Sequence, residues 1–277
     1  MTIAEIIENA LKEDLGDGDH TSLATIEPDE RARAQLIIKE SCVLCGMEIA
    51  REVFNQVDSD LDFGRLSRDG SKAGPGDIAF KVEGRARSIL RAERTALNFM
   101  QRLSGIATYT RRLADSISRY RSVILDTRKT TPMLRHLEKY AVFTGGGQNH
   151  RMGLYDMIMI KDNHVDYAGG IQNAISRTVD YLRKTNRDLR IEIEVRNFSE
   201  LNEVLETGRV DRIMLDNFSP GDLHEAVKKI GGRFETEASG GIDESNIVEY
   251  AKTGVDYISV GSLTHQIKSI DMSLKAF

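Results

Sequence analysis

Residues 189–217 read LRIEIEVRNFSELNEVLETGRVDRIMLDN. Two short apolar runs, IEIEV and RIMLD, each end in polar or charged residues, and apolar residues at helical spacing lie between them. A strand, a helix and a second strand of this kind form the unit of a parallel sheet. Reading outward, the same run recurs in SVILDTRK (122–129), DMIMIKDNH (156–164), RFETEASGG (233–241) and DYISVGSLT (256–264). Helical stretches separate them: AGGIQNAISRTVDYLRKT, PGDLHEAVKKIGG and DESNIVEYAKTG. Six such runs predict a β/α barrel or an open doubly wound sheet.

Both architectures place ligands at the C-terminal ends of the strands. Those ends carry Arg128 and Lys129, then Lys161, Asp162 and Asn163, then Glu194, then Asp216 and Asn217, then Ser239, Gly240 and Gly241, then Gly261 and Ser262. The early strands thus supply cations, the middle ones carboxylates and the last two small residues with accessible amides. Glycine at a late strand end lets backbone N–H groups approach a phosphate, and ASGGIDESN and VGSLTHQ are the segments that suit this. Glu194 and Asp216 could share a divalent cation, since magnesium takes one or two carboxylates plus substrate oxygens, or stand as ion-paired acids. Glu192 shares the face of Glu194 and is the weaker candidate.

The first hundred residues differ. Ile3, Ile6, Ile7, Ala10 and Leu11 predict a helix, LGDGDHTS a turn, and ARAQLIIKES and DGSKAGPGDIAFKVEG strands. A long helix is expected from Ile89 to about Arg112. Cys42 and Cys45 form a lone C-x-x-C, too few for a zinc site, and read as buried small hydrophobes. The GGGQNHR stretch (145–151) precedes a strand and lacks both phosphate-loop patterns, so its glycines clear side chains from a crowded place and present His150 and Arg151. Arg135 and Lys139, four apart on an expected helix, read as solvated.

Across 277 residues the hydrophobic content is 40% and the net charge −5. An acidic chain argues against a general nucleic-acid binder, whereas the basic cluster between Asp126 and His164 suits a pocket for a small polyanion. No apolar run reaches membrane-spanning length, and the acidic N-terminus is unlike a targeting peptide, which places the chain in the cytoplasm.

Taken together, EDLGDGDHTS, ERTALNFMQRLSGIATYT, DTRKTTPMLRHLEKYAV, GGGQNHRMGLYDMIMIKDNH, IEIEV, IMLDNFSP, EASGGI and GVDYISVGSLTHQ resemble the quinolinate phosphoribosyltransferases almost end to end. The resemblance implies an α/β fold with an N-terminal α/β sandwich domain over residues 1–106 and an incomplete β/α barrel over 107–265, with the tail 266–277 packing back on the first. It implies a homodimer, at least, with shared active sites: Arg94 reaches into the partner's site, while Arg128, His150 and Arg151 hold the two carboxylates of quinolinate. Lys129 and Lys161 serve substrate and diphosphate, Glu194 and Asp216 hold Mg2+ and the ribose region, and Ser239, Gly240, Gly241 and Gly261 bind the 5′-phosphate. The implied reaction joins quinolinate to phosphoribosyl pyrophosphate with loss of carbon dioxide. Three positions depart from the family's habit: Met133 stands where a small residue is usual, Arg196 where an acid is, and Phe143-Thr144 lead into the triple glycine. The rival readings are a phosphoribosyltransferase taking nicotinate, a Schiff-base enzyme using Lys129 or Lys161, and a basic binding surface without turnover.

Overall fold

The computed structural model describes residues 2–277. In chain order the elements are α1 (Ile3–Leu15), α2 (His20–Thr25), β1 (Arg31–Ile38), β2 (Cys42–Val43), α3 (Met47–Val57), β3 (Asp62–Arg65), β4 (Lys72–Ala73), β5 (Ile78–Arg85) and α4 (Ala86–Ser116). They continue with β6 (Val123–Leu125), α5 (Arg135–Gly145), β7 (Ile158–Ile160), α6 (Asp162–Ala168), α7 (Ile171–Thr185), β8 (Ile191–Val195) and α8 (Phe198–Thr207). The last are β9 (Arg212–Asp216), α9 (Pro220–Ile230), β10 (Glu235–Ser239), α10 (Ile247–Lys252), β11 (Tyr257–Ser259), α11 (Ser262–His265) and β12 (Met272–Ala276).

Two compact units emerge. The first holds the described residues through Arg111, together with Thr130–Gly146 and Leu263–Phe277; the second holds Arg112–Lys129 and Gly147–Ser262. The first unit is built on an antiparallel sheet in the order β12-β1-β5-β3. The C-terminal tail packs in this unit, with Leu36 opposite Leu274 where β12 pairs with β1. Phe54, Phe63 and Phe80 form its aromatic cluster, with ring centroids 4.5 Å apart for Phe63 and Phe80 and 5.7 Å for Phe54 and Phe80. Phe80→Ala is expected to lower unfolding stability by about 3–5 kcal/mol, since transfer and cavity terms add, a loss that denaturant melts would read.

Local chemistry explains the element ends. Thr2 caps α1 in a reciprocal box with Glu5, and Asp19 caps α2 by accepting from the Ser22 amide at 3.0 Å. That cap carries into a helix the His20–Ser22 stretch expected as turn. The long α4 overruns its expected span at both ends.

Cys42 and Cys45 are buried free thiols. Burial, then the Glu40 charge, pushes Cys42 up to about 11; burial, then Asp69, pushes Cys45 up to about 12. A disulfide exchange reagent at pH 8 is expected to label neither in the native protein and both after unfolding, because only the thiolate reacts.

The triple glycine ends α5. A Cβ on Gly145 would lie 2.6 Å from both the Ala107 carbonyl oxygen and Thr110 Cβ, so glycine permits the close approach of α5 to α4. Gly146 follows as the left-handed cap, φ +99°. The solvated reading of Lys139 is overturned: the side chain is fully buried on α5. Glu138, also fully buried, bonds the Arg102 guanidinium at 2.6 Å and the Thr131 amide at 3.0 Å, tying down the TTP turn. Met133 has φ +69°, the backbone that favours glycine, and its side chain is exposed.

The second unit decides between the two expected sheets. Its six strands run in the order β6-β11-β10-β9-β8-β7, every pair parallel. From β7 to β11 each strand lies beside its successor with no reversal, and the first strand joins the last. That is the cyclic order of a β/α barrel interrupted between β6 and β7, without the switch point of a doubly wound sheet. Gln148 adds one parallel rung beside Leu125 on β6.

Candidate active site

Parallel strands covered on both faces are ordinarily apolar throughout. β8 and β9 keep that rule on one side only: Ile191, Ile193 and Val195 alternate with Glu192 and Glu194, all buried. Register sets Glu192 beside Arg212 on β9, and Arg212 beside Glu235 on β10. One face of the sheet therefore carries charge from its N-terminal end to its C-terminal rim.

At the rim, Lys161 Nζ lies 2.9 Å from Glu194 Oε2. Glu194 is buried, and its neighbour on the next strand, Met214, precedes Asp216 by two residues, so both carboxylates share a face. Asp216 accepts from the Asn217 side-chain amide at 2.6 Å. Arg128 and Lys129 leave β6 as exposed residues. Arg151 is part-buried; burial first, then the charge of Arg128, lowers its pKa. A part-buried guanidinium beside a second cation is a place that favours an anion.

Ser239, Gly240 and Gly241 form the turn after β10, with left-handed φ of +101° and +60° at the glycines. Asn217, itself at φ +56°, donates its main-chain N–H to the Ser239 carbonyl at 2.8 Å. A Cβ on Gly240 would meet Asn217, its backbone nitrogen at 2.9 Å. Gly240→Ala is therefore expected to force the Asp216-Asn217 rim aside, both by the clash with Asn217 and by the left-handed backbone at 240, and to lower Tm, read by thermal melts. Gly261 continues this rim after β11.

His150 sits beneath the rim, its side chain 5% exposed, with Nε2 2.9 Å from Glu192 Oε2 and 3.5 Å from Glu237 Oε2. Asp126, fully buried, accepts from the His150 main-chain N–H at 2.8 Å. Burial opposes charging the ring, yet the hydrogen bonds and charges of Glu192 and Glu237 outweigh it and raise its pKa to about 9. The Arg151 amide donates to Nδ1 at 2.6 Å, a bond open only to the neutral ring with its proton on Nε2 toward the carboxylates; a second proton would go to Nδ1 and displace the Arg151 N–H, so this bond opposes the charging that the carboxylates favour. Glu237, Arg212 and Asp126 are functional candidates that a reading of strand ends misses.

Arg94 is an exposed residue of α4 in the first unit; the other candidates belong to the second. Arg196, which stands where the resembled family usually has an acid, is paired with Glu200 at 2.6 Å and Asp166 at 3.2 Å.

Residues 19–104 match the family model for the quinolinate phosphoribosyl transferase N-terminal domain, and residues 106–275 that for the C-terminal domain. The chain belongs to the quinolinate phosphoribosyltransferase family. Among relatives of this family, quinolinate phosphoribosyltransferase [decarboxylating] 1b of Nicotiana tabacum is 46% identical over 285 residues, covering 98% of this chain and 81% of the relative. The chloroplastic nicotinate-nucleotide pyrophosphorylase [carboxylating] of Arabidopsis thaliana is 45% identical with the same coverage. The structure of the nicotinate-nucleotide pyrophosphorylase from Francisella tularensis superposes with a TM-score of 0.93 at 43% identity, covering 99% of this chain and 96% of that one. No helix among the described residues is long and apolar enough to cross a membrane.

Proposed function

We propose that this chain transfers the phosphoribosyl group of phosphoribosyl pyrophosphate to quinolinate and releases pyrophosphate and carbon dioxide, giving nicotinate mononucleotide for NAD synthesis. The observation that carries this reading is the match of both family domains over residues 19–104 and 106–275, in a chain 46% identical to a quinolinate phosphoribosyltransferase that sets Arg128 and part-buried Arg151 in the same unit. A dicarboxylate offers a partner to each of the two guanidinium groups; a monocarboxylate offers one.

Each residue has a task. Arg128 and Arg151 grip the two carboxylates and set the ring nitrogen toward the anomeric carbon of the ribose, and His150 supports them from below. Lys129 and Lys161 neutralise the charge that develops on departing pyrophosphate. Ser239, Gly240, Gly241 and Gly261 receive the 5′-phosphate through main-chain amides. The donor set of Glu194 and Asp216, two carboxylates on one face of adjacent strands, suits a hard dication. Mg2+ held there would supply further positive charge for the diphosphate. Once the ring nitrogen carries the ribosyl group it is cationic; the bond from C2 to its carboxylate breaks, the electron pair stays on C2 beside that charge, and a proton completes the product. Positioning and charge supply the rate, with no covalent nucleophile. Arg94 acts in the site of a second copy within a homodimer, and the reaction runs in the cytoplasm.

Steady-state kinetics with phosphoribosyl pyrophosphate and Mg2+, with quinolinate and nicotinate as parallel acceptors, test the assignment. Turnover of quinolinate at a kcat/KM at least about 100-fold above nicotinate is expected, the scale of one lost charge-assisted contact pair. Preference for nicotinate would overturn it.

A further inference from the structure

We propose that Glu192 and Glu237 are positioning residues for the dicarboxylate end of the site: they hold the His150 ring, and the ring braces the main chain of Arg151. The proposal rests on the reading of Arg128 and Arg151 as the dicarboxylate grip.

Glu192 and Glu237 are both fully buried, and the Oε1 atom of each meets no hydrogen-bond partner among the described residues. A buried carboxylate with an unmet oxygen is less stable there than an apolar side chain of similar size. Nor do the charges call for an added cation: Arg212 donates to Glu237 Oε2 at 2.9 Å, and Arg212 also faces Glu235 at 3.0 Å. What remains for the two carboxylates to act on is His150.

His150 lies on a segment between α5 and β7 with only one bridge of regular structure, at Gln148. Three bonds fix it. Asp126 takes the main-chain N–H at 2.8 Å, Glu192 takes Nε2 at 2.9 Å, and Nδ1 takes the Arg151 N–H at 2.6 Å. The ring is thus a strut between the inward carboxylates and the peptide that carries Arg151, whose guanidinium is set in turn by the Met157 carbonyl at 3.2 Å. Removing the carboxylates frees the ring to turn and lets Arg151 shift against Arg128. Displacements of about 1 Å at a positioning residue cost up to about 100-fold in rate.

Glu192→Gln, Glu192→Leu and Glu237→Leu in the full-length protein test this, with separate KM values for quinolinate and phosphoribosyl pyrophosphate. Glu192→Leu is expected to raise the quinolinate KM about 10- to 100-fold, to change the other KM less than about threefold, and to leave Tm unchanged or higher; Glu237→Leu is expected to raise the same KM but to lower Tm, because it leaves the buried Arg212 guanidinium without the Glu237 carboxylate it donates to. Glu192→Gln, which keeps an acceptor for Nε2–H, recovers most of the loss. In an Arg151→Ala background Glu192→Leu adds little further effect, because the residue it acts through is gone. Equal increases in both KM values, a Tm of Glu192→Leu falling with its activity, or full additivity with Arg151→Ala would overturn the proposal. Wild-type turnover of quinolinate is measured in the same series, so failure of the substrate assignment shows in the parent protein and failure of the strut only in the variants.

Discussion

Lys161→Ala is expected to lower kcat by about 10²- to 10³-fold, the loss that follows removal of one preorganised charge from a site where charge develops. Lys161 Nζ stands 2.9 Å from Glu194 Oε2, with the lysine 46% and the glutamate 8% exposed. Truncation therefore does two things. Under the proposed mechanism it removes a cation that would neutralise departing pyrophosphate, and it leaves a largely buried carboxylate without its counter-charge, which would repel that anion. Lys161→Arg keeps the charge but spreads it over a planar fork, so it restores only part of the rate. Single-turnover measurements should place the loss in the chemical step. An unchanged kcat with Glu194 intact would remove Lys161 from the mechanism.

The second large effect concerns Arg94. Arg94→Ala and Lys129→Ala are each expected to be inactive, and mixing them in equal amounts is expected to restore about a quarter of wild-type activity. Half of randomly paired dimers carry one copy of each variant, and each such dimer regains one intact site of two. Arg94 is exposed on α4, as a residue serving another chain must be before assembly. If mass spectrometry detects hybrid dimers and the mixture stays inactive, the shared site is wrong.

The parallel strand-and-helix repeat was legible because its strands end in charge at regular intervals: 122–129, 156–164, 189–197 and 211–217 each turn from apolar to polar within a few residues. Strand neighbours were not legible, since β6 pairs with β11 across more than half the unit, and only the order of pairing separates a barrel from a doubly wound sheet. The inward charges were half visible. Glu192 and Glu194 alternate with isoleucine and valine in IEIEV, and Arg212, Glu235 and Glu237 sit at the same period in their own runs. Strand ends alone point to Glu194, and to Glu192 by alternation, but not to Arg212, Glu235 and Glu237, although charge at every second position of a buried strand signals a polar interior. Lys139 misled for another reason. Its four-residue spacing from Arg135 suggests one solvated face, but α5 is buried through Leu137, Glu138, Ala141 and Val142, and that burial depends on contacts far along the chain.

The most direct test of the central claim follows quinolinate labelled in the C2 carboxylate, with phosphoribosyl pyrophosphate and Mg2+ present. Labelled carbon dioxide and nicotinate mononucleotide are expected to appear one for one, with neither formed when phosphoribosyl pyrophosphate is withheld. Carbon dioxide released without nucleotide, or nucleotide that retains the label, would contradict the account.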